Sequence, residues 1–180
     1  MSTTLFYGFV LALANIVLTL AGFFLGYQTD KLAEGRWFGL FALVAGLAAL
    51  AVVLWLGIRA VREEAQDKSL AYGKGVLTGF LISLYSGLIG VVYTIVHFTF
   101  INPNFADYQI DAMRQKWTQA GLDDAKMQAA EKFMRLFMSA PVMAIIGFMF
   151  ALGTGTVMAL IVAAFLKRTP PVGQTPPGTA

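Results

Sequence analysis

The chain has 180 residues, of which 58% are hydrophobic and only 13% charged, and its mean hydropathy of +0.70 lies outside the range of soluble globular domains. A net charge of +3 without a basic stripe gives no reason to expect a nucleic-acid partner. The absence of cysteine excludes disulfides, thiolate nucleophiles, iron–sulfur clusters and thiolate metal sites.

A hydrocarbon core about 30 Å thick takes roughly 20 apolar residues per helix, and four segments qualify: about 5–27, 37–58, 75–101 and 142–166. In the first, Gly8 and Ala12 share a face, Gly22 and Gly26 follow four apart, and Tyr7 and Tyr27 bracket the span at headgroup level. The opening Met-Ser-Thr-Thr lacks the positive start of a secretion signal, so a retained span is expected rather than a cleaved leader. Asn15 lies near mid-span, where an unpaired amide is costly. It serves either as an interhelical hydrogen-bonding group or as a ligand contact.

A short, charge-balanced loop, 28–36, makes the first two spans antiparallel neighbours. In the second span Ala45, Ala49, Val53 and Gly57 share a face, and Trp37 and Trp55 mark the interfaces. The charged segment 59–74 places Glu64 and Lys68 four apart, as in a helical extension. Ser69 reads as the N-cap of the third span.

That third span organises the chain. Gly75, Gly79, Ser83 and Gly87 form a ridge of small residues, with Ser86, Gly90 and Thr94 beside it. In lipid, where burying apolar groups gains little, such ridges let helix backbones pack closely. The span is also the most polar of the four. Asn15, Tyr85, Ser86, Tyr93, Thr94 and His97 are candidates for a small polar pocket, against the alternative that the hydroxyls bond their own helix or a neighbour. His97 is either an interfacial histidine bonded to backbone or water, or a pH-sensing group.

Asn102-Pro103 stops the span, with Asn102 as cap and Pro103 opening the next helix. Ile110, Met113 and Trp117, then Gly121 and Asp123, then Met127, Ala130, Met134 and Phe137, predict an amphipathic helical hairpin over about 103–139. In the fourth span Gly147, Ala151, Gly155 and Ala159 repeat the small-residue ridge. The two ridges are expected to meet most tightly where Gly79, Ser83 and Gly87 pass Gly147, Ala151 and Gly155. The Pro/Gly-rich segment 169–180 reads as a disordered tail.

No Asp, Glu, Lys or Arg falls at mid-membrane depth, and no motif for phosphate cradling, acyl transfer or metal-dependent proteolysis is present. No catalytic residue, cofactor or metal site is therefore expected.

From Gly57-Ile58-Arg59 through Ser69-Leu-Ala-Tyr-Gly-Lys-Gly, Phe100-Ile-Asn-Pro-Asn-Phe, the Gly121-Leu-Asp turn and the final Leu166-Lys167-Arg168, the chain resembles an uncharacterised bacterial membrane family, domain of unknown function 4199. It departs at Asn102, where that family often has Asp before the proline. The resemblance implies a small protein of the bacterial inner membrane and carries no functional residues with it.

The expectation is an all-α integral membrane four-helix bundle, one domain over 1–168, with an amphipathic hairpin between its third and fourth spans. Arg59, Arg62, Lys68, Lys74, Lys167 and Arg168 at one end favour cytoplasmic termini. The functional expectation is a non-enzymatic protein in the lipid bilayer that packs with itself or with a larger membrane assembly. The alternative is a small oligomeric carrier or channel.

Overall fold

The computed structural model describes residues 1–169, so the expected tail lies outside the described residues except for Thr169. Six helices run in the order α1 (Thr3–Phe24), α2 (Arg36–Glu64), α3 (Tyr72–Val96), α4 (Phe105–Gln119), α5 (Asp124–Phe137) and α6 (Ala140–Leu166), and no strand is present among the described residues. Four apolar elements are long enough to cross a membrane: α1, α2, α6, and α3 with the π-helical turn His97–Ile101 that continues it.

Local chemistry sets the helix ends. Ser2 caps α1 by accepting from Leu5 N–H. Gly26, with φ +85°, ends it, as Tyr27 N–H bonds Gly22 O at 2.9 Å and Gly26 N–H bonds Phe23 O at 3.0 Å. That paired pattern places a left-handed residue just past the helix, a position open to glycine at little steric cost. Gly121, φ +72°, ends α4 in the same way, and the Asp123 carboxylate accepts from Lys126 N–H at 2.8 Å to start α5.

Between α2 and α3 the local expectations fail. The helix stops at Glu64, Lys68 turns left-handed at φ +51°, and its ammonium approaches Glu63 at 3.8 Å instead of Glu64. Ser69 is no cap, because its backbone N–H goes to Asp67 Oδ1 and α3 begins at Tyr72. A tertiary contact overrides both: Leu70 and Arg168 exchange two backbone hydrogen bonds of 3.0 Å, drawing the loop across the end of α6. Asn102 ends the third span as expected, its backbone N–H bonding His97 O, but it does not cap the next helix. Its amide donates to Gln28 O at 3.3 Å, and α4 starts at Phe105.

The tightest packing is antiparallel, α3 on α6. A methyl at Gly75 would lie 3.0 Å from Ala163 Cβ, one at Gly79 would lie 2.5 Å from Ala159 Cβ, and one at Gly155 would overlap Ser83 Oγ. This register differs from the expected one. Gly87 meets the Phe148 ring instead, 2.9 Å from where its methyl would sit, and Gly147 has nothing within 4 Å. The periodicity of the two ridges is the same in either register, so spacing alone could not choose. In the observed register the Phe148 ring takes the place opposite Gly87 that the expected one gave to Gly147.

A core of Leu11, Leu50, Leu54, Ile58, Ile82, Ala159, Val162 and Leu166 fills the end of the molecule that carries the N-terminus and the end of α6. At the opposite end α4 tucks Ile110 (1% exposed) beneath itself and contacts the turn Leu32–Glu34. Arg114 pairs with Glu131, and Arg135 with Asp107, tying α4 to α5.

Candidate functional site

Beyond the Ser83–Gly155 contact lies a cavity of about 420 Å³ between α1, α2, α3 and α6. Its floor is built from two parallel helices. From α1 come Leu11, Ala12, Asn15 and Thr19; from α3 come Ser83, Ser86, Gly87, Gly90, Tyr93 and Thr94. Glycines make the space: neither Gly90 nor Gly147 has any atom within 4 Å of where a side chain would begin. The rim is apolar and exposed, with Leu43 and Leu47 of α2 facing Gly147 and Phe150 of α6.

Three of the six hydroxyls at this site are committed to the backbone one turn before them. Ser83 donates to Gly79 O at 2.9 Å, Thr19 to Asn15 O at 2.9 Å and Thr154 to Phe150 O at 2.7 Å. Asn15 donates one amide N–H to Leu11 O at 2.9 Å. Among the described residues no hydrogen bond involves Asn15 Oδ1, Ser86 Oγ or Thr94 Oγ1. These three polar groups line an otherwise largely apolar chamber. None of the lining residues is charged.

A second polar cluster closes the upper end. His97 is fully buried, with Nδ1 3.1 Å from Tyr93 Oη and Nε2 3.0 Å from Gln28 Oε1. Gln28 Nε2 donates to Thr19 O at 2.9 Å, which leaves its Oε1 as the acceptor. His97 Nε2 therefore carries a proton, and Nδ1 meets the Tyr93 hydroxyl, so both ring nitrogens have partners. The ring packs edge-on against Phe23 and Phe98, with centroids 5.7 Å and 4.8 Å away. The cluster anchors the π-helical turn, where Asn102 N–H bonds His97 O at 2.7 Å. A fully satisfied histidine of this kind holds structure together.

Of the six residues expected at a polar pocket, Asn15, Ser86, Tyr93 and Thr94 line the cavity. Tyr85 does not: its Cβ packs over Gly8, 2.7 Å from where a methyl there would lie. His97 sits behind the lining, reached through Tyr93. Among the ridge residues, Ser83, Gly87, Gly147 and Ala151 line the chamber, while Gly75, Gly79, Gly155 and Ala159 lie in the close helix contact. Sequence reasoning missed Gln28, Thr19 and Thr154. Gln28 has no periodic signal, because the left-handed turn at Gly26 is what folds it back onto α1.

A family model described as Protein of unknown function (DUF4199) matches residues 6–168. No curated protein and no solved structure matches the chain.

Proposed function

The chain belongs to the DUF4199 family, whose description assigns no activity, and from the cavity we propose a four-helix transmembrane bundle of the bacterial inner membrane that binds a lipid-soluble molecule without transforming it. One observation carries this reading: the chamber between the helices has an exposed apolar rim on α2 and α6. In a bilayer that rim faces hydrocarbon, so the route inward is lateral. The volume and lining, largely apolar with a few polar groups, fall in the range of small-molecule sites.

The wider frame follows from the same packing. α4 and α5 form a hairpin at the headgroup level, with Phe133, Leu136 and Phe137 (63%, 67% and 51% exposed) turned outward. The termini are cytoplasmic and the hairpin lies on the opposite side. Self-association through the glycine ridges is the weaker reading, since Gly75, Gly79 and Gly155 are occupied by contacts within one chain. The cavity favours the ligand-binding or carrier alternative without requiring an oligomer to build the site.

Native mass spectrometry of protein released from lipid nanodiscs tests this. The wild type retains a bound lipid, and Gly90→Leu, which fills open space, loses it while keeping its thermal stability. Equal retention by a stably folded Gly90→Leu protein would overturn the proposal.

A further inference from the structure

Resting on that reading of the cavity, we infer that its occupant is an uncharged lipid whose head carries hydroxyls and an ester carbonyl, drawn in from the bilayer. Two observations on the lining select the class. The first is the set of uncommitted groups: Asn15 Oδ1 accepts, and the hydroxyls of Ser86 and Thr94 both donate and accept. Ser86 and Thr94 are two turns apart on α3, about 12 Å along the axis, with Gly90 leaving room between them. A head carrying several hydroxyls and an ester carbonyl, extended along that length, reaches polar groups that have no hydrogen-bond partner within the protein.

The second observation is charge. No lining residue is ionisable at neutral pH, and a phosphate or ammonium head at this depth would lose its hydration without gaining a counter-charge. The Tyr93–His97–Gln28 cluster lies behind the lining with its side chains bonded to one another, so His97 makes no contact with the chamber. A phosphorylated head is therefore excluded on energetic grounds. The hydrocarbon chain leaves through the rim between Leu47 and Phe150, continuous with the surface that meets lipid.

The test uses the full chain in nanodiscs and two photoreactive probes with the same diazirine-bearing oleoyl chain, one a monoacylglycerol and the other its phosphate, lysophosphatidic acid. The monoacylglycerol labels peptides of α2 and α6, which flank its chain, at least tenfold more than the phosphate. Ser86→Ala and Thr94→Val, which keep volume and remove only hydroxyls, each reduce that labelling about five- to tenfold, the effect of one hydrogen bond of about 1 kcal/mol or slightly more. Equal labelling by both probes, or preference for the phosphate, overturns the class while leaving the cavity as a binding site. Labelling by neither probe overturns the site and the class together.

Discussion

Gly79 and Gly90 sit on the same helix and look alike in the sequence, yet their surroundings predict opposite responses to one methyl group. At Gly79 that methyl would fall 2.5 Å from Ala159 Cβ and 3.3 Å from its Cα, so two backbones must separate. Overpacking of this kind costs about 1–3 kcal/mol. At Gly90 the methyl enters empty space, and alanine is the better helix former by about 1 kcal/mol. Gly79→Ala is thus expected to lower the melting temperature in mild detergent, and Gly90→Ala to keep or raise it; similar shifts in both would contradict the register. The four-residue spacing made both glycines visible as packing candidates. Which of them packs was not legible, because that depends on the register against α6 and on Phe148.

For α4 and α5 the deciding interactions are ionic. Arg114 grips Glu131 with two hydrogen bonds of 2.6 and 2.9 Å, and Arg135 reaches Asp107 at 2.7 Å. The bonded Arg114 guanidinium holds the Glu131 carboxyl below the usual glutamate range, and Glu131 in turn raises the Arg114 value. A carboxyl depressed in the folded state stabilises the pairing above its unfolded value, and that contribution disappears as pH falls through its folded value. The Arg114–Glu131 pair is therefore intact at neutral pH and is lost only in acid, below the ordinary glutamate range. Spin labels on single cysteines in each helix, introduced into a chain that has none, should report a longer separation there. Glu131→Gln should widen the separation already at neutral pH and flatten its acid dependence. A profile unchanged by that substitution would sink the assignment. The existence of these helices was legible from Gly121, Asp123 and the flanking apolar residues. The loop 65–71 was not, because its shape comes from the Leu70–Arg168 backbone pairing between residues 98 positions apart, which no local propensity reports.

Across the whole molecule, packing is dense at the end holding both Ser2 and Leu166 and open toward the hairpin, which gives the protein two unlike halves. Charge must orient them in the membrane. Six of the thirteen basic residues lie at the dense end and seven at the other, so number alone gives no direction; position relative to the span ends decides. Lys74, Lys167 and Arg168 stand directly at span ends against Arg36 at the other side, whereas Arg114, Arg135 and Lys126 lie within the hairpin and are neutralised by Glu131, Asp107 and Asp123. The dense end is therefore expected in the cytoplasm, which puts the cavity mouth toward the outer leaflet. A cysteine at Gln66, exposed in the α2–α3 loop, should resist a membrane-impermeant maleimide in intact spheroplasts, and one at Ala125, exposed on α5, should react. The opposite labelling pattern would invert the topology. Because the margin rests on so few residues, Lys74→Gln combined with Lys167→Gln and Arg168→Gln should yield a mixed population in which both cysteines label partially, whereas removing paired Lys126 should leave the orientation unchanged.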